Sequence, residues 1–431
     1  MPGQWRLPRD GSARPACPQR RYPVARPVNA RVALDHAASD CTALAGRSVT
    51  LDITRLLIRA RHAAPTGIDR VELAYARALL ASRDRVVRFE AWLPRLGRVG
   101  FSRAALIRLV AALEQRWELG EGAGIGAIAT AWSGVRPLPR AAAAGVRLIV
   151  SHQHLDRLDR RNLRDGERLC VYLHDAIPAD FPEYARPGGA ERHRRRLRNA
   201  ARFADAILVN SHATARAVEP YLADAGHRPA LMVAPLGIEP RFAHDRVPAD
   251  SAQPYFLCLG TIEPRKNHLL LLQIWRAMAE RSPGDTPKLI LAGRRGWENE
   301  NVVDLLDRCP ALHGHVVEAG AVGDRALREL IAGARAVLMP SFAEGFGLPV
   351  AEALAAGVPV IASDIAVLRE TGGDVPDYFD PLDGPGWTRA IQDHARTDSP
   401  MRAAQLARMR GWTAPRWDAH FAQVFAVLDA L

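Results

Sequence analysis

Residues 255–364 alternate short apolar runs with longer stretches of helical periodicity. The apolar runs predict strands at YFLCLGT, KLILAGR, HVVEAG, AVLMPS and VPVIASD, and helices fall between them at HLLLLQIWRAMAER, DRALRELIAGAR and LPVAEALAAG. Strands that alternate with helices pair in parallel, with the helices covering both faces of the sheet. The segment therefore predicts a doubly wound α/β domain.

A similar series precedes this segment. Strands are predicted at RSVTLDITRLL, VRLIVS and RLCVYLHD, a helix at IDRVELAYARALLASR, and a helix end, strand, turn and helix at ARFADAILVNSHATARAVEPYL. Two Rossmann-like domains of similar size follow from the repetition, and ligands of such sheets bind beyond the carboxyl ends of the strands. The expected fold class is α/β with two doubly wound domains facing a central cleft.

The predicted domain boundaries follow changes in composition. Residues 1–46 are rich in Arg, Pro and Ala without periodicity and are expected to be a disordered extension. The polar segment RVPADSAQP, residues 246–254, is expected to be a linker. This gives an N-terminal domain over 47–250, a C-terminal domain over 251–411 and a C-terminal helix over 412–431.

Composition limits the class of protein. The 431 residues are 48% hydrophobic and 24% charged, as in soluble globular proteins. No uncharged apolar stretch approaches the ~20 residues of a membrane span, and the five scattered cysteines predict free thiols, so a cytoplasmic location is expected. The net charge of +11 suggests nucleic acid, anionic lipid or phosphorylated small molecules as partners. Since no helix-turn-helix, zinc-finger or stacking-aromatic pattern occurs, nucleic acid is not expected.

The stretch SFAEGFGLPVAEALAAG carries two glutamates, Glu344 and Glu352, around a glycine-rich turn. Glu344 is expected in the loop between a strand and a helix, and Glu352 in about the first turn of that helix. Gly345 and Gly347 allow backbone N–H groups to approach a ligand closely, and a helix N-terminus favours an anion such as a diphosphate. Carboxylates beside such a site can accept hydrogen bonds from sugar hydroxyls. The alternative is that Glu352 merely favours the helix N-terminus.

The block PSFAEGFGLPVAEALAAGVPVIASD resembles the E-x7-E signature of the retaining glycosyltransferases of family 4, which have the GT-B fold. The resemblance runs from about residue 50 to the end, and the chain looks most like bacterial O-antigen and exopolysaccharide mannosyltransferases. It implies that Glu344 contacts the hydroxyls of the donor sugar and that Glu352 holds the ribose of the nucleotide. It also implies that backbone amides near Phe346, Gly347 and Leu348 meet the sugar and the diphosphate.

The loop in LGTIEPRKNHLLLL contains Arg265 and Lys266, and the chain has only one other lysine, Lys288. Fixed cations stabilise the charge that develops on a departing diphosphate. The pair also matches the phosphate-binding residues of the resembled family. Because no D-x-D sequence occurs, we expect no metal ion and no other cofactor. The alternative is a solvated basic turn.

Other candidates depend on the resemblance. His174, in LHDAIP, matches a histidine close to the donor sugar, with Asp175 as a group that orients its imidazole. Gly67, in APTGIDRVELA, matches a loop over the diphosphate, although only Thr66-Gly67 stands where many members have two glycines. Arg70 in the same stretch is either a helix-face charge or a group that points at phosphate or acceptor. The sequence LAGRRGWENE matches the region by the nucleobase and adds the candidates Gly293 and Arg294.

The resemblance implies a nucleotide-sugar donor, with a slight preference for GDP-mannose, and a saccharide or lipid-linked saccharide acceptor in surface-polysaccharide synthesis. The basic stretch ERHRRRLRNAARFADA, residues 191–206, is either a solvated helix face or a contact with anionic membrane. Two further alternatives stay open: a GT-B epimerase or phosphorylase, and a non-catalytic sugar-nucleotide binding protein.

Overall fold

The structure is a computed structural model that describes residues 48–93, 96–120, 134–136, 145–242 and 254–431. The predicted extension 1–46 and residues 246–253 of the predicted linker lie outside these ranges. Within them the chain forms two β-sheets, each enclosed by helices. The two sheets correspond to the two predicted strand-and-helix series.

The first sheet has eight strands in the order β4-β3-β2-β1-β5-β6-β7-β8. The strands are β1 Ser48–Asp52, β2 Val87–Leu93, β3 Gly97–Phe101, β4 Val135–Arg136, β5 Gly145–Ile149, β6 Arg168–Leu173, β7 Ala206–Val209 and β8 Ala230–Val233. Its helices are α1 Thr54–Arg59, α2 Gly67–Ala81, α3 Arg103–Leu119, α4 Ile177–Asp180, α5 Gly189–Phe203 and α6 His212–Ala223.

The second sheet has six strands, all parallel, in the order β11-β10-β9-β12-β13-β14. The strands are β9 Tyr255–Leu259, β10 Lys288–Ala292, β11 Val316–Gly320, β12 Ala336–Met339, β13 Val360–Ser363 and β14 Asp377–Phe379. The helices are α7 His268–Arg281, α8 Glu300–Arg308, α9 Asp324–Ala332, α10 Leu348–Ala355, α11 Ala366–Gly372, α12 Gly384–Ala395, α13 Pro400–Met409 and α14 Trp417–Ala430. This strand order is that of a doubly wound dinucleotide-binding sheet, which confirms the predicted fold class.

Short 3₁₀ helices lie in the loops that follow several strands. They are Leu155–Arg157, Arg160–Asn162, Pro182–Tyr184, Pro240–Phe242, Pro264–Lys266, Pro283–Asp285 and Pro310–Leu312. The Pro264–Lys266 turn holds the predicted cationic pair directly after β9.

The first sheet departs from the sequence expectation in two places. Strands β3 and β4 pair antiparallel at one edge, whereas a wholly parallel sheet was expected. The predicted strand RSVTLDITRLL is also too long, because β1 stops at Asp52 and α1 begins at Thr54. Asp52 Oδ1 accepts hydrogen bonds from the N–H and hydroxyl of Thr54 at 2.9 and 2.5 Å, and such a local turn competes with continued strand pairing.

Apolar side chains fill both faces of both sheets. One cluster on the first sheet includes Tyr75 and Phe89, and it also takes in Val424 and Leu428 of α14. The C-terminal helix therefore packs against the first sheet, although it follows the second in sequence. The cysteines within the described ranges, Cys170, Cys258 and Cys309, are free thiols. No helix in the described ranges is long and apolar enough to cross a bilayer.

Candidate active site

The candidate residues lie beyond the carboxyl ends of parallel strands in both sheets. His174 follows β6, Lys266 lies in the loop after β9, Gly293 follows β10 and Glu344 lies in the loop after β12. Strands β9 and β12 are hydrogen-bonded neighbours. Their loops are therefore adjacent, and the two motifs predicted separately form one site.

Glu344 lies between the two predicted cations. Lys266 Nζ donates to Glu344 Oε1 at 2.6 Å, and Arg265 Nη1 donates to Glu344 Oε2 at 2.8 Å. Burial by itself would raise the pKa of Glu344, but Arg265 and Lys266 outweigh it and lower the pKa to about 2. The carboxylate is consequently ionised at any physiological pH, and it can accept hydrogen bonds but cannot act as a general acid.

Backbone hydrogen bonds fix the relative position of the two loops. The N–H of Phe342 donates to the carbonyl of Arg265 at 2.8 Å, and the Arg265 guanidinium donates to the carbonyl of Ala343 at 2.9 Å. Glu263 lies 2.5 Å from Arg265 Nε and supplies a second carboxylate. Two cations and two carboxylates thus form a cluster with no net formal charge. Arg265 holds this cluster together through contacts with Phe342, Ala343, Glu263 and Glu344.

The N-terminus of α10 carries backbone N–H groups next to this cluster. Gly347 precedes the helix with φ of 92°, a conformation that favours glycine. Within the described ranges, no hydrogen bond uses the N–H groups of Phe346, Gly347 or Leu348. The Phe346 side chain itself is buried in the core of the first sheet. The backbone of this segment, and not the phenyl ring, is what a ligand anion would meet.

Gly345 lies directly against the backbone of His174. A Cβ atom added to Gly345 would lie 2.3 Å from the carbonyl oxygen of His174. The Gly345 carbonyl in turn accepts hydrogen bonds from the hydroxyls of Ser211 at 2.9 Å and Thr214 at 3.2 Å. The sequence predicted that this glycine lets a ligand approach closely. In the structure it lets the two halves of the protein approach each other, the first half being the part built on the first sheet and the second half the part built on the second sheet.

The His174 ring is buried and held by the backbone. Its Nε2 lies 2.6 Å from the carbonyl of Val150, and its ring packs against those of Tyr172 and His152. Burial lowers the pKa of His174 to about 4, so the imidazole is neutral near pH 7 and its Nε2 donates to Val150. The orientation expected from Asp175 comes instead from Val150, because the ring's hydrogen bond goes to that carbonyl, while the Asp175 carboxylate accepts from the N–H of Ile177 at 3.2 Å.

Glu352, in the second half of the protein, contacts Arg70 of the first half. It is the fifth residue of α10, which places it just after the first turn, close to the expected position. Arg70 Nη1, from α2 of the first half, donates to Glu352 Oε1 at 3.3 Å and Arg70 Nη2 lies 2.5 Å from Asp324 Oδ1. Burial raises the pKa of Glu352 to about 7, and Arg70 opposes this rise. Asp324 was not a candidate, because nothing in DRALRELIAGAR distinguishes it from a helix-terminal acid.

Gly67 and Leu348 begin two helices whose first turns face each other. Gly67 is the first residue of α2, and a Cβ atom added there would lie 3.2 Å from Leu348 Cδ1, at the start of α10. Thr66 and Asp69 form a capping box at the start of α2. The structure therefore brings Gly67 to the same helix end as the Phe346–Leu348 backbone.

The two candidates after β10 have different surroundings. A Cβ atom on Gly293 would lie 1.8 Å from the carbonyl oxygen of Gly260, so close packing of the two strand ends requires glycine there. Arg294 is exposed, and its side chain makes no hydrogen bond or ion pair with any residue that the structure describes. Burial lowers the pKa of His62 in the first half, and the charges of Arg59, Arg61 and Arg294 lower it further.

His268 is a buried residue at this site that the sequence did not single out. It begins α7 next to the Pro264–Lys266 turn, and its side chain is 1% exposed. Neither ring nitrogen has a hydrogen-bond partner among the described residues. Burial, with the charges of Lys266 and Arg265, lowers the pKa of His268 to about 3. In the sequence it reads only as the polar first residue of an apolar helix.

The expectation that the protein needs no metal ion remains a prediction. The described ranges contain no group of three or more His, Cys, Asp or Glu side chains arranged to hold a metal ion. That Arg265 and Lys266 take the place of a metal ion also remains a prediction.

Comparison with known proteins shows which proteins this chain resembles. Residues 253–393 match the family described as "Glycosyl transferases group 1". The chain is 40% identical over 147 residues to the O-antigen chain mannosyltransferase B of Escherichia coli, a match that covers 34% of this chain and 38% of that protein. It is 29% identical over 244 residues to the serotype-specific mannosyltransferase WbdA of Escherichia coli, covering 53% of this chain and 30% of that protein. The matches span about a third of the length of these curated relatives.

Solved structures with the same architecture cover most of the chain. Sucrose-phosphate synthase of Thermosynechococcus elongatus aligns with a TM-score of 0.58 at 16% identity, over 89% of this chain and 99% of that one. HepE of Anabaena, in complex with UDP, aligns with a TM-score of 0.55 at 18% identity, over 89% of this chain and 100% of that one. The chain thus has the GT-B fold, matches the group 1 glycosyltransferases over residues 253–393 and resembles the O-antigen mannosyltransferases.

Proposed function

We propose that this protein is a glycosyltransferase that moves a sugar from a nucleotide diphosphate sugar to a hydroxyl of a growing saccharide. The observation that carries the proposal is the contact of Glu344 with both Arg265 and Lys266 beside the N-terminus of α10. These groups match the parts of a sugar diphosphate. The carboxylate can accept hydrogen bonds from the sugar, and the two cations and the backbone N–H groups can bind the diphosphate. The likeness to O-antigen mannosyltransferases supports GDP-mannose as the donor and a surface polysaccharide as the product.

The proposed reaction retains the configuration at the anomeric carbon and needs no metal ion. The acceptor hydroxyl attacks on the face from which the diphosphate leaves, the bond from the anomeric carbon to the phosphate oxygen breaks, and the departing phosphate takes the acceptor proton. Arg265 and Lys266 stabilise the charge on the leaving group, and Glu344 positions the sugar. Because Glu344 remains ionised, the acid role of a hydrolase carboxylate does not suit it.

The test begins with a thermal-shift screen against GDP-mannose, UDP-glucose, UDP-galactose, UDP-N-acetylglucosamine and dTDP-rhamnose with a chelator present. A bound donor raises the melting temperature by mass action. We expect GDP-mannose to stabilise the protein and to be consumed only when a saccharide acceptor is added. Consumption of the donor without an acceptor would favour an epimerase or phosphorylase. Binding of the donor without turnover would favour a non-catalytic protein. Strong inhibition of sugar transfer by the chelator would refute metal independence.

We also propose that α5 contacts anionic membrane, where a lipid-linked acceptor would be found. The arginines at Arg192, Arg195, Arg198 and Arg202 are exposed, and their spacing places them on one face of the helix. His193 and Leu197 are buried on the opposite face. Clustered arginines on a helix face attract anionic lipid, and salt screens the attraction.

Vesicle binding tests this second proposal. The protein should sediment with phosphatidylglycerol vesicles but not with phosphatidylcholine vesicles, and added salt should release it. The double variant R192E/R195E should lose this binding and keep its thermal stability. Equal binding by the variant would show that α5 is only a solvated helix face.

A further inference from the structure

The donor-site carboxylate Glu352 is held by an arginine from the other half of the protein. Arg70 lies on α2, which packs on the first sheet, whereas Glu352 lies on α10 of the second half. In the described ranges, Arg70 Nη1 is the group that donates to the Glu352 carboxylate, at 3.3 Å. The side chains of Arg70 and Glu352 are 15% and 5% exposed, so water competes little for this pair.

The apposition of two helix starts creates this contact. Gly67 faces Leu348 at the first residues of α2 and α10. In a helix, the side chains three and four residues after a given residue lie on the same face as that residue. Arg70 and Glu352 occupy those positions, so the helix ends that meet at the proposed diphosphate site also bring this arginine to this glutamate.

The contact belongs to a chain of alternating charges between the two halves. Arg70 also donates to Asp324 Oδ1 at 2.5 Å, and Arg241 donates to Asp324 Oδ2 at 2.9 Å. Arg241 continues to Glu118 Oε2 of α3 at 2.8 Å, and Glu118 also binds Arg328 of α9. Asp324 is therefore neutralised from two sides. Arg70 divides its charge between two carboxylates, of which Glu352 receives the longer contact.

We propose that Arg70 is a positioning residue of the donor site, which holds the Glu352 carboxylate charged and aimed to accept hydrogen bonds from a nucleotide ribose. This rests on the proposed function, since it assumes that a nucleotide binds beside α10. The structural consequence is a coupling between the halves: loss of the Arg70 contact removes the cation that donates a hydrogen bond to the Glu352 carboxylate.

The electrostatics of Glu352 agree with this role. Burial raises its pKa to about 7, Arg70 and Arg241 lower it, and Asp324 and Glu239 raise it. The ionised form accepts hydrogen bonds from a ribose diol, and the protonated form has less accepting capacity. Nucleotide binding should therefore weaken as the pH falls through about 7. Removing Arg70 should move that midpoint to higher pH, because the remaining neighbours are one cation and two carboxylates.

The experiment measures GDP and UDP binding by calorimetry between pH 6 and 9 for the wild type, R70M, R70K and E352Q. We expect the R70M midpoint to rise by about one pH unit or more, with affinity near pH 7 about tenfold weaker and largely restored at high pH. R70K keeps a cation and should fall between R70M and the wild type. E352Q should bind weakly with no such midpoint.

The matched control is R328M, which removes an arginine from the same chain of charges without touching Glu352. Its midpoint should equal that of the wild type. A uniform loss of affinity in R70M at every pH, or an equal shift in R328M, would overturn the assignment and make Arg70 a structural residue only.

A second readout needs no ligand. In protein labelled with ¹³C at the glutamate carboxyl carbon, the signal absent from E352Q belongs to Glu352 and can be titrated in the wild type and in R70M. A higher midpoint in R70M supports the inference, and an unchanged midpoint overturns it. If this titration shifts while neither GDP nor UDP binds the wild type, the electrostatic coupling stands, and the role toward a nucleotide fails with the proposed function.

Discussion

Lys266 Nζ lies 2.6 Å from Glu344 Oε1, although the two residues are 78 positions apart in the chain. The contact joins the loops that follow two neighbouring strands of the second sheet. Lys266 is 6% exposed, and the only other lysine, Lys288, is exposed at the start of β10. Lys266 is therefore the buried lysine that binds a carboxylate, and Lys288 is an exposed lysine of the same chain that can serve as its control.

Replacing Lys266 by methionine should lower the turnover of sugar transfer about 100-fold or more, because one fixed cation is lost at the leaving group. The comparison is K288M, measured in the same transfer assay. It should retain wild-type activity, since Lys288 lies at the opposite end of the parallel strands. If K266M and K288M lose activity equally, the leaving-group role of Lys266 is wrong.

Replacing Glu344 by alanine should abolish transfer and leave nucleoside diphosphate binding intact. The variant should also be less stable without ligand, because Lys266 loses its carboxylate partner and Arg265 loses one of its two carboxylate partners, Glu344, and keeps Glu263. GDP should raise the melting temperature of E344A more than that of the wild type, since the diphosphate replaces the missing negative charge. Loss of nucleotide binding in E344A would contradict the assignment of Glu344 to the sugar.

Replacing Gly345 by alanine should force the loop away from the His174 carbonyl, because the new Cβ would lie 2.3 Å from that oxygen. We expect a loss of stability of about 1–3 kcal/mol and a large loss of transfer activity. Gly284 is the control, since a Cβ atom there meets nothing within 4 Å. Chemical denaturation of G345A and G284A measures the difference, and equal stabilities would show that the loop adapts freely.

The pH dependence of stability should reflect His268. The pKa of His268 is about 3 in the folded protein, whereas that of an unperturbed histidine is 6.5, so the unfolded chain takes up a proton first on acidification. The stability contribution is complete above pH 6.5 and is lost as the pH falls toward 3. At pH 5 this loss amounts to about 2 kcal/mol.

Glutamine at position 268 cannot titrate, so H268Q should lose less stability between pH 7 and pH 5 than the wild type. The exposed residue His313 supplies the control H313Q, whose stability should change with pH as the wild type does. Urea denaturation at both pH values checks this expectation. An equal loss of unfolding free energy between pH 7 and pH 5 in H268Q and the wild type would rule out a depressed pKa for His268.

The sequence determined the class of fold because local periodicity encodes strands and helices. The helix HLLLLQIWRAMAER was predicted with the bounds it has as α7, and the helix LPVAEALAAG was predicted to begin at Leu348, where α10 begins. Strands β2, β3, β4, β8 and β14 were not predicted. Of these, β3 and β4 pair antiparallel, an arrangement that an alternation of strands and helices does not anticipate.

The sequence also indicated Glu344, Arg265 and Lys266, because they lie in loops between predicted strands and helices and match the motifs of the resembled family. Only the tertiary structure decided what they contact. Glu344 pairs with both cations because β9 and β12 are neighbours in the sheet, and Arg70 meets Glu352 across 282 positions because two helix starts converge. Gly345 likewise faces His174 and not open space. Local pattern fixes elements, whereas contacts between distant residues depend on the order of strands and on the packing of helices over them.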